Sequence, residues 1–231
     1  LFNSNVCLVL HRQSGDYYMS DKREHILIVA EVLFGEKGFD GASVRDIAQQ
    51  AGVNLAMISY YFGSKEKLLE ALIEFRAMYA YGILEELNKN ESLSPWDKMD
   101  RLIEFYVDRI LNNLPFHNIM YQESFSNFRS DEIRNKVIAI KMRNLEQITK
   151  IITDGQQKKL FRQVDIAMTV GTIMGTISSY TQSRAFSCQI LAIQEDTNDE
   201  SFRSRLSVRL KSHLKQLMRA HLDIRNETEP E

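Results

Sequence analysis

Ser43-Val44-Arg45-Asp46-Ile47-Ala48-Gln49-Gln50-Ala51-Gly52-Val53-Asn54-Leu55-Ala56-Met57-Ile58-Ser59-Tyr60-Tyr61-Phe62 is the stretch whose reading decides the fold. Ser43 is a helix-capping residue type standing before a short run, Val44 to Gln50, in which Ile47 and Ala48 face inward. Ala51-Gly52-Val53 makes a tight turn, and a second short helix is expected over 55–62. Ala48 has to be small where the two helices cross, and Val53, Ile58 and Phe62 seat the second helix on the first. A helix held at that angle projects its first turn outward, ready to enter a major groove.

The flanks extend this pair into a three-helix head. Upstream, Ile26, Leu27, Val29, Ala30, Leu33 and Phe34 keep the three-four spacing of one buried helical face over about 21–37. Gly38 stands where a helix ends, and Phe39 can fold back onto the core. Residues 1–18 lack a helical period and are expected to be a leader or a flexible arm. Downstream, Ser64 caps a helix carrying Leu68, Leu69, Leu72, Ile73, Phe75 and Met78, a connector over about 64–88. The helix-turn-helix head is thus expected over 19–64 and a helical body over 89–225.

Five body helices are expected at about 95–113, 116–127, 131–154, 163–186 and 201–222. Ser94-Pro95 opens the first, Pro115 separates it from the second, Asp131 heads the third, Gly155 closes it, and 187–200 reads as a polar loop. With three prolines and ten glycines in 231 residues, the chain is expected to be all-α. No run approaches the roughly 18 apolar residues of a membrane span. The two cysteines, Cys7 and Cys188, read as incidental thiols of a reducing cytosol. No metal-ligand pair, phosphate-binding glycine loop or nucleophile elbow is present, so neither an enzyme nor a cofactor site is expected.

The segment from Val53 to Leu69, with its Tyr61-Phe62-Gly63-Ser64-Lys65-Glu66 tail, resembles the recognition helix and connector of the TetR-like, tetracycline-repressor-type family of bacterial transcriptional regulators. The resemblance covers about residues 20–80 and implies a dimer on palindromic operator DNA, most commonly a repressor, controlled by a small molecule bound in the body. It implies base-edge contacts from Leu55, Ala56, Met57 and Ser59 at the exposed start of the recognition helix, with Asn54 and Tyr60 beside them. Three of these offer only apolar contact, suited to thymine methyls. Tyr61 and Lys65 match phosphate-holding positions, Ser43 caps a helix whose N-terminus can do the same, and Arg45 can reach groove or backbone. Tyr60, Tyr61 and Phe62 also admit a plain core reading.

Composition qualifies this picture. The formal net charge of −2 excludes a histone-like protein holding DNA by bulk charge. Residues 19–81 hold seven Lys/Arg against nine Asp/Glu, so the head itself is acidic. The expected salt slope is therefore modest, about two to four phosphates per subunit. A helical adaptor whose head meets protein remains the alternative.

In the body, Phe105, Tyr106, Phe116, Met120, Tyr121, Phe125, Met142 and Met174 could line a mostly apolar effector cavity, with His117 and Glu123 as polar neighbours. Plain core packing explains such residues as well. Gly171 and Gly175 on one helix, and Leu206, Leu210, Leu214 and Leu217 on the last, are the expected dimer surface. Arg203, Arg205, Arg209, Lys211, Lys215 and Arg219 crowd the last helix, either as a face paired with acids elsewhere or as an anion site.

Overall fold

The structure, a computed structural model, describes residues 17–125, 130–194 and 198–226, with side chains over 22–123, 130–194 and 198–225. Among the described residues ten helices follow one another: α1 (Tyr17–Gly41), α2 (Val44–Gln50), α3 (Leu55–Phe62), α4 (Lys65–Lys89), α5 (Pro95–Asn112), α6 (Leu114–Phe125), α7 (Asp131–Gln157), α8 (Ile166–Thr181), α9 (Arg184–Leu191) and α10 (Asp199–Leu222). Among the same residues there is no strand beyond an isolated bridge between Phe161 and Asp223. None of these helices is long and apolar enough to cross a membrane. The all-α expectation holds, and the expected leader lies outside the described residues except for its last two, which open α1.

Side-chain caps set the helix boundaries. Ser43 Oγ accepts from the Asp46 backbone N–H while the Asp46 carboxylate accepts from the Ser43 N–H, and Ser94 and Asp97 repeat this reciprocal box at α5. Ser64 caps α4 by accepting from the Lys67 N–H at 3.2 Å. The helical path of α1 breaks at Gly38, and Phe39 returns to stack on Phe34 with ring centroids 5.3 Å apart.

Three boundaries depart from expectation. Pro115 sits inside the first turn of α6, where a missing N–H costs nothing, and the break falls at Asn113 instead. Helix α7 runs past Gly155 to Gln157, and that glycine is required by the Phe161 ring, whose Cγ lies 2.6 Å from where a Cβ would stand. The single helix expected over 163–186 is two, because Ser183 caps a new start by accepting from the Phe186 N–H, and α9 occupies part of the expected loop.

Two cores result. The first gathers α1 to α4 and continues into Phe116 and Ile119 of α6 and Ile133, Val137 and Ile140 of α7. The second joins the end of α4 to α5, α7, α8 and α10. Helices α1 and α6 cross so closely that a Cβ on Gly35 would lie 2.8 Å from Pro115 Cα. Along α10, Lys211, Lys215 and Arg219 pair with Asp108, Glu104 and Asp100 of α5 at 2.6, 2.5 and 2.7 Å, an antiparallel ladder with one rung per turn. Of the two readings of the basic face, the paired one therefore holds for these three residues.

Candidate nucleic-acid interface and ligand cavity

Two helices too short to persist alone are held here by their neighbours. The turn between them places Gly52 at φ +64°, a left-handed backbone that a side chain would strain. The Val53 N–H donates to the Ala48 carbonyl at 3.0 Å, closing the turn, and Asn54 caps α3 by accepting from the Ala56 N–H at 3.0 Å. Ile58 and Phe62 are buried beneath α3, while Asn54, Leu55, Ala56, Ser59 and Tyr60 are exposed and Met57 is half-buried. Tyr60 is 75% exposed, so the core reading fails for it and holds for Phe62. Tyr61 lies between, half-buried against the first core and edge-on to Tyr60 at 5.3 Å.

The cations around this face fall into two groups. Arg45 is exposed, with no carboxylate partner among the described residues, and Lys65 rests its ammonium 4.4 Å from the Phe39 ring centroid. Others are committed to the scaffold: Arg76 holds Glu31 at 2.6 Å, and Lys67 binds Glu70 and Glu132 at 3.1 and 2.7 Å. Burial prevails at Glu31 and pushes its carboxyl above the ordinary range despite Arg76. Glu70 and Glu74 are further bound by Lys136 of α7, so a cation outside the head offsets part of the acidity read from its sequence.

A cavity of about 620 Å³ opens in the body between α4, α5, α6, α7 and α8. Tyr106, Phe116, Met120, Tyr121, Met142 and Met174 line it as expected. Phe105 does not: it turns into the second core, edge-on to Tyr106. The side chain of Phe125 lies outside the described residues. Residues overlooked from the sequence complete the wall, notably Arg109, Asn113, Lys141, Asn144, Leu145 and Val170. Arg109 could have been found one turn beyond Tyr106 on the same face, as could Lys141, Leu145 and Ile148 by their mutual three-four spacing.

The electrostatics of this wall are one-sided. Burial holds the Arg109 guanidinium below its ordinary pKa. Burial likewise lowers His117, helped by the charges of Arg109 and Lys141, so its ring is neutral at pH 7. Burial pushes the Tyr106 hydroxyl up to about 12, so it stays a donor.

The expected leucine surface is corrected. Leu206, Leu210 and Leu214 are at most 3% exposed within the single chain, and Leu217 packs beside them on the second core. The ladder to α5 turns this stripe inward, where the chain's own helices cover it. Gly171 and Gly175 remain exposed, with open space around both.

Comparison with known proteins agrees with this geometry. The profile of bacterial regulatory proteins of the tetR family matches residues 26–72, and that of a tetracyclin repressor-like C-terminal domain matches residues 92–182. The HTH-type transcriptional repressor NicS of Pseudomonas putida is 30% identical over 153 residues, covering 66% of this chain and 71% of that protein. Among solved structures, the TetR family transcriptional regulator PfmR from Thermus thermophilus shares the fold with a TM-score of 0.65 at 24% identity, over 84% of this chain and 95% of that one. The transcriptional regulator FadR from Bacillus subtilis, in complex with stearoyl-CoA, does so with a TM-score of 0.61 at 23% identity, over 83% and 96%. Two domain profiles in the right order, and a repressor matched over most of its length, lead to one conclusion: the chain belongs to the TetR family of bacterial regulatory proteins.

Proposed function

We propose that the chain is a dimeric repressor that grips a two-fold operator with paired α3 helices and lets go when a mostly apolar small molecule fills the body cavity. The observation that carries this reading is the division of α3: Ile58 and Phe62 are locked in the core while Leu55, Ala56, Ser59 and Tyr60 stand in solvent. Leu55 and Ala56, with half-buried Met57, suit thymine methyls, Ser59 a base edge or phosphate, and Tyr61, Lys65 and Arg45 the backbone. Ser43 caps α2, whose first N–H groups, those of Val44 and Arg45, suit a further phosphate.

A second copy is supported by the outer face of α8 to α10. Gly175 meets nothing within 4 Å, so packing within one chain does not explain it, while Gly171, equally open, also borders the cavity. Met168, Phe186, Ile190 and Val208 of the same three helices are exposed apolar residues, from 48% to 68% accessible, and Phe186 and Ile190 lie beside Gly175. Pairing through this face gives the two-fold symmetry that a palindrome requires, with half-sites about 34–36 Å apart.

Release follows as a population shift. Phe116, His117, Met120 and Tyr121 of α6 line the cavity, and the same helix touches α1 at Pro115. Ile73 and Ala77 of α4 reach the cavity as well, on the helix that directly follows α3. An occupant that favours one setting of α4 and α6 thus biases the spacing of the heads. A tenfold loss of operator affinity needs only about 1.4 kcal/mol of such coupling.

Selection of bound duplexes from a random DNA pool, with stoichiometry read by light scattering, tests this directly. Enrichment of a palindrome by a dimer is the expected result. Absence of any enriched sequence at low salt would favour an adaptor that meets protein.

A further inference from the structure

The cavity wall is largely apolar, and its polar members, among them Arg109, Lys141, His117, Asn113 and Asn144, include no carboxylate. Phe116, Met120, Leu145, Val170 and Met174 offer no hydrogen bond to an occupant. Among the described residues no carboxylate pairs with the Arg109 side chain, which lies 5.9 Å from the centre of the Phe105 ring. Even a half-buried guanidinium is costly to hold without an anion, and most such groups are paired. The surroundings raise that cost, because the charge of Arg76 acts on Arg109, while those of Arg109 and Lys141 both act on His117. Two more polar atoms share the condition: the Tyr106 hydroxyl and His117 Nε2 are buried with no hydrogen-bond partner. Tyr106 stands one turn before Arg109 on α5 and is 4% exposed.

From these groups we infer that the effector is an amphipathic carboxylate, its apolar body along α6, α7 and α8 and its carboxylate on Arg109 and the Tyr106 hydroxyl. The inference rests on the effector reading above and adds the ligand's chemical class. A guanidinium fork matches one carboxylate in two parallel bonds, and the phenol supplies a third donor. The apolar walls discriminate against small inorganic anions, and the positive field discriminates against amines. A volume of about 620 Å³ lies inside the roughly 300–1,000 Å³ range of small-molecule sites.

Calorimetric titration of the full chain without DNA, using decanoate, 1-decanol, decylamine and decanoyl-coenzyme A, tests the inference. Decanoate is expected to bind about 10- to 100-fold more tightly than decanol, the range of a charge-assisted hydrogen bond, and decylamine more weakly than either. Arg109→Met should bring decanoate down to the level of decanol, and Arg109→Lys should restore part of the difference, with thermal melting confirming that each variant folds. The four-ligand comparison on the unaltered chain stands even if Arg109→Met fails to fold. Decanoate binding no tighter than decanol, binding of neither, or decanoyl-coenzyme A binding more tightly than decanoate and independently of Arg109 would each overturn the assignment. Because no DNA is present, failure of operator selection would refute the repressor reading while leaving this preference measurable, and the reverse also holds.

Discussion

Lys65 stands at a position where a phosphate contact is expected, yet its ammonium also lies over the Phe39 ring. Those two roles predict different losses. The stack is worth about 0.5–1 kcal/mol at a partly exposed site, so Lys65→Ala should cost no more than that in stability. If the ammonium also meets a phosphate, operator affinity should fall alike for every sequence, and the salt slope should shrink by about one. Salt titrations of both proteins on one duplex make the comparison, and an unchanged slope would leave Lys65 a packing residue only. Arg45, exposed and without a carboxylate partner among the described residues, carries no such double duty. Asn54 illustrates the opposite case: a residue read as a DNA contact whose side-chain oxygen is already engaged in capping α3.

Between elements, the crossing of α1 and α6 links cavity to head through a close backbone approach. Gly35→Ala would set a Cβ against Pro115 Cβ and 2.8 Å from its Cα, so backbone has to move. Overpacking of this kind costs about 1–3 kcal/mol, against a gain of ~0.5–1 kcal/mol from replacing a helical glycine. A net loss in urea melts is expected, together with an altered ratio of operator affinities with and without effector. Unchanged stability and unchanged ratio would place the coupling in α4 alone. The α5–α10 ladder acts differently, since its partly exposed rungs contribute only about 0.2–1 kcal/mol each. Its role is to fix which face of α10 turns inward.

For the whole molecule, symmetry is the property at stake. Gly175→Glu introduces a charged side chain into space that is open in the single chain and crowded in the proposed dimer. The folded protomer should be no less stable, because glycine is the poorer helix former by ~0.5–1 kcal/mol. Light scattering should nevertheless report a monomer, and affinity for the two-fold site should collapse toward that of a half-site. A variant that stays dimeric would move the interface away from α8.

Periodicity, capping serines and one glycine turn were enough to locate the helix-turn-helix, the connector and an all-helical body, because each is a local property of a few consecutive residues. Ser43, Ser64 and Ser94 cap in the structure as their sequence neighbourhoods imply. What lay beyond the sequence were decisions between faces. Phe105 and Tyr106 are adjacent on α5, and only the packing of α6 to α8 puts the tyrosine in the cavity wall and the phenylalanine in the core. The leucine stripe of α10 announced a buried face without naming its cover. Acids at 100, 104 and 108 drew it onto the chain's own α5. An amphipathic pattern states that a surface must leave water. Which partner covers it is a matter of long-range geometry, and that only the tertiary structure decided.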